Sequence, residues 1–557
     1  MAPVPSLDPT IRNTVESQEG SRISTPTLDE KSHDHEAAVV EPDGDDDDTR
    51  VYPQGYKLAF ICLGLCIAVF LVALDNTIIA TAIPKITDEF HSLDDVGWYG
   101  SAYLLTTAAF TLLFGRLYTI FPLKIVYLAA IALFELGSLI CGVAPSSVAL
   151  IVGRAIAGIG SAGIFSGALL IIANSAPLHK RPAYTGMMSA MYGVASVAGP
   201  LLGGAFTDKA TWRWCFYINL PIGALAVIFI FFLFDSPPVS DNVRSSRTWF
   251  GLAKQLDLFG TLFFIPSIIC LLLALQFGGS TYAWSDGRII AYFVVFGVCL
   301  FIFIGFQIYF PDTASISPKI VRNRSILAGA WFAFCMGGAF FAILYYLPIW
   351  FQAVKGASAF RSGIMNIPLV LAVVVGAILS GGLVTVIGYY VPFMIASTIL
   401  MSVGEGLLTT FEPSTGSSKW IGYQVICGLG IGFGMQQPLI AVQVVLPMEL
   451  VPAGTALMVF CQTLGASIFV SVAQNQFQSK LISGLHHLVP ELNPMVVIKA
   501  GATSLDAIVS AEFLPSVIRA YNDALAETFL VALILACLTL FGALAIEWKS
   551  VKGKQLA

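Results

Sequence analysis

Long apolar runs separated by short polar segments dominate the chain from about residue 56 onward. A helix that crosses the hydrocarbon core of a bilayer needs about 20 mostly apolar residues. With a window of about 19 residues, the pattern predicts fourteen spans, at 58–83, 98–117, 124–144, 148–172, 184–206, 215–235, 257–275, 289–310, 326–350, 363–386, 390–411, 421–446, 453–475 and 528–547. We number them span 1 to span 14. The expected fold class is therefore an all-α polytopic membrane protein.

Polar segments divide these spans into groups. The first 55 residues are acidic and contain Ser, Thr and Pro, a composition typical of disorder. The chain thus divides into six regions, which are a disordered acidic cytoplasmic tail (1–55), a six-helix half (56–235), a cytoplasmic linker with two extra helices (236–310), the first five helices of a second half (311–475), an extracellular amphipathic segment (476–527), and the last helix with a cytoplasmic tail (528–557). The extracellular amphipathic segment (476–527) is either a substrate cap or a connector.

Composition supports this interpretation. Apolar residues make up 57% of the chain and charged residues 11%, against roughly 45–50% and about 25% in soluble proteins. Lys and Arg are more numerous in the loops that face the cytoplasm when the N-terminus is inside, so this orientation is predicted. A multi-pass protein of the plasma membrane is expected, with the vacuolar membrane as the alternative. The net charge of −5 owes much to the tail and says little about partners.

Signatures of enzymes and of nucleotide-driven pumps are missing from the sequence. It contains no GxxxxGK[ST], HExxH or GxSxG pattern. The run Gly158-Ile-Gly160-Ser-Ala-Gly163 matches the dinucleotide fingerprint GxGxxG, but it lies inside an apolar helix, where small residues let helices approach closely. We therefore predict no enzymatic activity, no cofactor and no nucleic-acid partner, and an ATP-driven pump would need a separate subunit that hydrolyses the nucleotide.

A glycine pattern repeats between the two halves. Span 4 contains Gly153-Arg-Ala-Ile-Ala-Gly158-Ile-Gly160, and span 12 contains Gly422-Tyr-Gln-Val-Ile-Cys-Gly428-Leu-Gly430, which has one inserted residue. Two six-helix halves related in this way, with a cavity between them, are typical of secondary transporters. Chance clustering of glycines is the alternative.

Span 5 carries a longer motif of small residues. The pattern gxxxxxxxxGxxxGPxxGG is met, with one alanine in place of glycine, by Gly186, Ala195, Gly199, Pro200, Gly203 and Gly204. Residues spaced by four lie on one helix face and form a groove for close packing, and the proline permits a bend. Ordinary helix packing alone does not require six such positions.

Three further segments support one resemblance. Leu74-Asp-Asn-Thr-Ile-Ile79 resembles an LDxTIvnvALP motif, and Trp212-Arg-Trp-Cys-Phe-Tyr-Ile-Asn-Leu-Pro221 resembles WRWxFxINLP. Gly115-Arg-Leu-Tyr-Thr119 stands where GxLaD is usual, so a threonine replaces the gating aspartate. The chain resembles the 14-span drug:proton antiporter group of the major facilitator superfamily, and within it the fungal carriers that export toxins such as aflatoxin and HC-toxin. This resemblance implies two six-helix halves plus two extra central helices.

Charged residues inside the spans are the candidates for proton coupling. Each costs about 2.5–3.5 kcal/mol unless it is paired or solvated. Counted along the spans at 1.5 Å per residue, Asp75, Glu135 and Arg154 all lie roughly 9 to 14 Å below the outer surface. A carboxyl facing Arg154 would release its proton when paired and take it up when the pair opens. A static structural pair is the alternative, and Glu405 is a fourth candidate without a predicted partner.

The resemblance implies an amphipathic organic substrate, and aromatic and amide side chains would suit its cavity. The candidates are Gln436, Gln437, Gln462, Phe332, Tyr345 and Tyr346. The expected partners are this substrate, protons and the lipid bilayer, with a proton gradient as the energy source, and the protein is expected to be a monomer. Three functions remain open, which are a proton-driven exporter, a proton-coupled importer of a siderophore or nutrient, and a receptor or scaffold without transport.

Overall fold

The computed structural model describes residues 53–90, 95–236, 256–279, 282–311, 313–494, 496–497, 505 and 509–552. The predicted disorder of the tail falls almost wholly outside these residues. Within them, fourteen helices are long and apolar enough to cross a membrane. In order, the helices that form the spans are Tyr56–Phe90, Val96–Ile120, Leu123–Gly142, Ser147–Ser175, Arg181–Lys209, Trp214–Tyr217 with Asn219–Leu233, Leu258–Phe277, Gly287–Tyr309, Arg324–Ala353, Ile367–Ile387, Val391–Leu408, Ser417–Gly434 with Gln437–Val445, Val451–Leu488, and Leu514–Ala545.

The predicted number, order and type of the spans are confirmed, and the described part contains no strand. The boundaries around the 476–527 segment differ from the prediction. Span 13 continues as one helix to Leu488, and the helix of span 14 already begins at Leu514. A hydropathy window ends a span where polar residues enter, but a helix continues through polar residues as long as its backbone bonds are satisfied. Much of this segment therefore extends the two neighbouring spans.

The repeated glycines make equivalent contacts in the two halves. A Cβ at Gly158 would lie 2.4 Å from the Tyr103 carbonyl oxygen of span 2, and a Cβ at Gly428 would lie 2.4 Å from the Leu369 carbonyl oxygen of span 10. Gly160 and Gly430 are pressed in the same way against backbone nitrogens of spans 3 and 11. Real Cβ atoms do not approach other atoms so closely, so only glycine permits this packing. The contact of Gly160 with span 3 also explains why the GxGxxG match in span 4 is a packing motif.

The two halves meet at the span ends that the basic residues assign to the cytoplasm. Gly115 of span 2 packs against Ala456 of span 13, where a Cβ would lie 2.4 Å from the alanine Cβ. Near the other pair of ends, a Cβ on Gly381 of span 10 would lie 2.5 Å from the carbonyl oxygen of Pro182 in span 5. These contacts close the cytoplasmic side between the halves.

Of the two extra helices, span 7 lies against both halves, and span 8 packs on span 7. The Phe264 ring of span 7 lies 4.8 Å from Phe303 of span 8 and 5.3 Å from Phe460 of span 13, measured between ring centroids. On the other side, Gln276 donates a hydrogen bond of 2.9 Å to Ser101 of span 2. Aromatic pairs at these separations stabilise the packing. The extra helices therefore cover the seam between spans 2 and 13.

Candidate coupling site

A buried ion pair joins span 1 to span 4. Asp75 and Arg154 are both fully buried, and the Arg154 Nη1 group donates a hydrogen bond to the Asp75 carboxylate. Span 1 brings the aspartate to this depth without a break, because its helix runs from Tyr56 to Phe90. The two residues that shared a depth in the sequence are thus in direct contact.

Further contacts hold each member of this pair. The Arg154 Nε group donates to the Tyr99 carbonyl oxygen at 2.8 Å, and its guanidinium lies 4.5 Å from the centre of the Tyr103 ring. The Asn219 amide donates to the other Asp75 oxygen at 3.2 Å and to Ser138 at 3.1 Å. Spans 1, 2, 3, 4 and 6 therefore all converge on one carboxylate.

The loss of either charge would destabilise this cluster. Removing one member of a buried ion pair costs about 3–5 kcal/mol, because the other charge is left uncompensated. The Arg154 Nη2 atom and the Asn219 carbonyl oxygen are buried and have no hydrogen-bond partner among the described residues. The cluster is thus paired but not saturated, and it has unused donor and acceptor capacity for a proton carrier or a ligand.

Glu135 lies outside the ion pair. Its carboxylate rests against Gly223 of span 6, where a Cβ would be 1.8 Å from the Oε1 atom. Neither carboxylate oxygen has a hydrogen-bond partner in the described part of the chain, although the group interacts electrostatically with Asp75. An unpaired buried carboxylate is costly in the charged form. Glu135 therefore lies near the pair without taking part in it.

Glu405 is also apart from the ion pair. It is fully buried in span 11, and neither oxygen has a hydrogen-bond partner among the residues that the structure describes. Gly404 next to it is pressed against Cys427 of span 12. This carboxyl therefore belongs to the second half, in the helix that corresponds to the one carrying Glu135.

The small-residue motif of span 5 lies at two interfaces. A Cβ at Gly199 would lie 2.2 Å from Thr77 Oγ1 of span 1, and one at Gly186 would lie 2.6 Å from the Ala377 carbonyl oxygen of span 10. The Ala195 carbonyl oxygen accepts a hydrogen bond of 3.0 Å from Thr77. The remaining motif residues, Pro200, Gly203 and Gly204, lie within the same helix, Arg181–Lys209. Span 5 thus links the first span to the second half.

The predicted cavity residues fall into two groups. Gln436 and Gln437 are fully buried at the break between the two helices of span 12, so they do not line an open cavity in this conformation. Both polar atoms of the Gln436 amide lack a partner among the described residues. Gln462 is half-buried, and Tyr346 is buried.

Tyr345 differs from the other candidates. It is 48% exposed, whereas the neighbouring Tyr346 is buried, and it lies within electrostatic reach of Arg154 of the first half. Its ring is therefore accessible on a part of span 9 that a charge of the first half reaches. Phe332, on the same span, is fully buried.

The sequence interpretation missed Asn219 and an ion pair at the outer end of the first half. There, Glu89 accepts a hydrogen bond of 2.6 Å from the Trp212 indole and a salt bridge of 2.9 Å from Arg213. The indole hydrogen bond, followed by Arg213, holds the pKa of Glu89 below its ordinary value. The signal was present, because Trp212, Arg213 and Asn219 all belong to the WRWCFYINLP segment.

The chain is similar to known membrane transporters over most of its length. A sequence model of the Major Facilitator Superfamily matches residues 65–470. The MFS-type efflux pump MFS1 of Trichophyton rubrum is 59% identical over 512 residues, which cover 92% of this chain and 95% of the relative. The efflux pump aflT of Aspergillus parasiticus is 54% identical over 499 residues, which cover 89% of this chain and 97% of the relative.

Among solved structures, the human organic anion transporter MFSD10 (TETRAN) superposes with a TM-score of 0.55, covering 87% of this chain and all of that chain. At 12% identity, this likeness concerns the fold alone. The family match and the close relatives go further. The chain belongs to the Major Facilitator Superfamily and is a multi-pass membrane transporter, not an enzyme.

Proposed function

We propose that this protein exports small amphipathic organic compounds, such as toxins or other secondary metabolites, in exchange for protons. The relatives named efflux pumps support the direction of transport. The fully buried Asp75–Arg154 ion pair is the observation that supports proton coupling. The plasma membrane is the proposed location, and the monomer is the proposed functional unit.

The proposed coupling rests on the two states of Asp75. When the carboxylate is paired with Arg154, the opposite charge favours the ionised form. If the first half rearranges so that span 1 and span 4 separate at this pair, burial favours the protonated form, so Asp75 takes up a proton. The proton is bound at a carboxylate oxygen on one side of the membrane and released from it when the pair forms again. Each cycle thereby links a proton to a conformational change.

Alternating access supplies the second part of the proposed mechanism. The halves are in contact near Gly115 and Gly381, at the ends assigned to the cytoplasm. Opening this side requires spans 2 and 13, and spans 5 and 10, to separate. The glycine contacts favour discrete states, because close backbone packing is either made or broken. The buried amides of Gln436 and Gln437 would then become available to a substrate from the cytoplasm.

The substrate class is inferred from the space between the halves. Tyr345 offers an aromatic face and a hydroxyl, and the adjacent Phe341 ring stacks on it at a centroid distance of 6.5 Å. Aromatic surfaces with a few polar groups bind planar amphipathic molecules. Because Tyr345 lies within electrostatic reach of Arg154, a charged compound bound here would interact with the charges of the ion pair.

Import of a nutrient or siderophore with protons is the second candidate, because the same carboxylate chemistry would drive symport. Vesicle transport separates the two. Purified protein in liposomes is given a pH gradient in either direction, with rhodamine 6G as an amphipathic cation and an anthraquinone as a neutral polycyclic compound. Export by exchange predicts that the probe accumulates on the acidic side. Accumulation on the alkaline side, with protons and probe moving together, would establish symport instead.

A further inference from the structure

Asp257, the residue that precedes the helix of span 7, has an unusual backbone conformation. Its φ and ψ are 50° and 44°, the left-handed region that non-glycine residues seldom adopt. Its side chain caps the helix by accepting a hydrogen bond of 3.1 Å from the Gly260 backbone N–H. Aspartate tolerates this conformation better than most residues, because its short side chain bonds locally. The strained position must therefore be held by further contacts.

Those contacts come from two other segments. The second carboxylate oxygen of Asp257 accepts 2.6 Å and 2.9 Å hydrogen bonds from the Gln307 side chain of span 8 and the Ser315 backbone N–H. Gln307 in turn accepts a 2.9 Å hydrogen bond from the Ile316 backbone N–H. One carboxylate thus ties together the cytoplasmic ends of both extra helices and the connection that leads into span 9.

The same carboxylate interacts electrostatically with Arg116 at the cytoplasmic end of span 2. Arg116 follows Gly115, which is packed against Ala456 and close to the Pro452 carbonyl oxygen at the start of span 13. Asp257 therefore acts electrostatically on the residue that adjoins the contact between the halves at Gly115.

Position 119 does not supply an acidic group to Arg116. It is Thr119, one turn further along span 2, and its hydroxyl donates to the Gly115 carbonyl oxygen of its own helix at 3.0 Å. A carboxylate within electrostatic reach of Arg116 is contributed from outside the six-helix half, by Asp257 at the start of the first extra span.

We propose that Asp257 is a positioning residue of the cytoplasmic gate, which uses the extra pair of helices to hold spans 2 and 13 together. Span 7 already packs on both halves, because Phe264 lies in one buried cluster with Leu112 of span 2 and Phe460 of span 13. Asp257 adds the charge that favours Arg116 in the closed arrangement. A contact that is made in one state only shifts the equilibrium toward that state.

Accessibility of the closed gate tests this role without substrate and without a proton gradient, so the result does not depend on the proposed transport reaction. Ser189 is a suitable reporter. It is buried in span 5, on the face between Gly186 and Gly193 that meets span 10. A Ser189→Cys variant changes little in size, and its labelling by an impermeant maleimide in inside-out vesicles can be followed peptide by peptide.

The proposal predicts that Asp257→Asn raises the labelling rate of the introduced cysteine by roughly ten-fold, as expected for the loss of a charge-assisted contact from one state. Asparagine keeps the cap and tolerates the left-handed conformation. Adding Thr119→Asp to this variant should lower the rate again, because it returns a carboxylate to the neighbourhood of Arg116. Asp286→Asn is the matched control. Asp286 caps the start of span 8, on the side of the membrane opposite the gate, by accepting a hydrogen bond of 2.8 Å from Arg288 N–H.

Three results would overturn the proposal. They are an unchanged labelling rate in Asp257→Asn, an equal rise in Asp286→Asn, and failure of Thr119→Asp to restore protection. Each would reduce Asp257 to a helix cap. Should Asp257→Asn not accumulate in the membrane, Thr119→Asp in the otherwise native chain gives the same test. It should slow labelling below the native rate, and a faster rate would contradict the gate role.

Discussion

The interface between spans 1 and 5 offers a test in which two glycines of one motif should behave differently. A Cβ at Gly199 would lie 2.2 Å from Thr77 Oγ1, 2.8 Å from Thr77 Cβ and 3.0 Å from the Ile78 backbone nitrogen. Gly204, five residues further along the same helix, has no atom within 4 Å of such a Cβ. We therefore expect Gly199→Ala to be disruptive and Gly204→Ala to be neutral.

The structure indicates the size of this effect. Thr77 cannot simply rotate away, because its hydroxyl bonds to the Ala73 and Ala195 carbonyl oxygens at 3.1 Å and 3.0 Å and its Cβ is part of the obstacle. Inserting a methyl group into such packing costs about 1–3 kcal/mol. This corresponds to a 5- to 150-fold change in an equilibrium between packed and separated helices. Gly199→Leu adds three more carbons and should block the interface altogether.

The assay is thermal survival in detergent, followed by size-exclusion chromatography, together with efflux of rhodamine 6G from cells that express equal amounts of each variant. Gly199→Ala should lower the temperature of half survival and reduce efflux, and Gly204→Ala should match the native protein. Equal behaviour of the two variants would refute the close-packing account. Normal efflux by well-expressed Gly199→Leu would refute it independently.

Three further predictions follow from single contacts. Asn219→Ala removes the hydrogen bond that the Asn219 amide donates to the buried Asp75 carboxylate. We expect the free energy of unfolding, measured with heat or denaturant, to fall by about 1.5–3 kcal/mol, and unchanged stability would contradict this role. Glu89 has a lowered pKa, so its stabilising contribution should be present above the ordinary pKa of 4.5 and should vanish as the pH falls below it. The acid-induced fall in melting temperature should therefore be smaller in Glu89→Gln, and an identical fall would exclude this contribution. Asn323-Arg-Ser325 is a glycosylation sequon, and the Asn323 side chain caps span 9 by accepting a hydrogen bond of 2.9 Å from Ser325 N–H. It lies on the side assigned to the cytoplasm, so no glycan is expected there. A glycosidase-sensitive mass shift that is lost in Asn323→Gln would show that the assigned orientation is reversed.

Much of the fold could be predicted from the sequence because bilayer thickness and hydropathy set the lengths of the spans. The depth argument for Asp75 and Arg154 also worked, since the helical rise converts sequence position into depth. It could not assign Glu135, because residues at one depth still face different directions. The structure turns Glu135 toward span 6 and leaves the pair to span 1 and span 4.

Other features depended on local structure that hydropathy does not carry. Asn219 reaches Asp75 from the first turn of the second helix of span 6, and hydropathy does not tell which way an individual side chain turns. Gln436 is fully buried at the break between the two helices of span 12, and the apolar run shows neither the break nor the burial. Asp257 directly precedes an apolar run, the usual position of a helix cap, but its electrostatic interaction with Arg116 requires the arrangement of the folded helices.

Proton-driven transport by protein in liposomes, with Asp75→Asn compared against the native chain, tests the central claim most directly. Asparagine keeps the shape of the side chain and imitates the protonated carboxyl. The account predicts that an imposed pH gradient drives rhodamine 6G uphill in the native protein and not in Asp75→Asn, while equilibrium binding of the same dye is retained. Glu135→Gln, one helix away, is the matched comparison. Full gradient-driven accumulation by Asp75→Asn would contradict the account and exclude the ion pair as the coupling site.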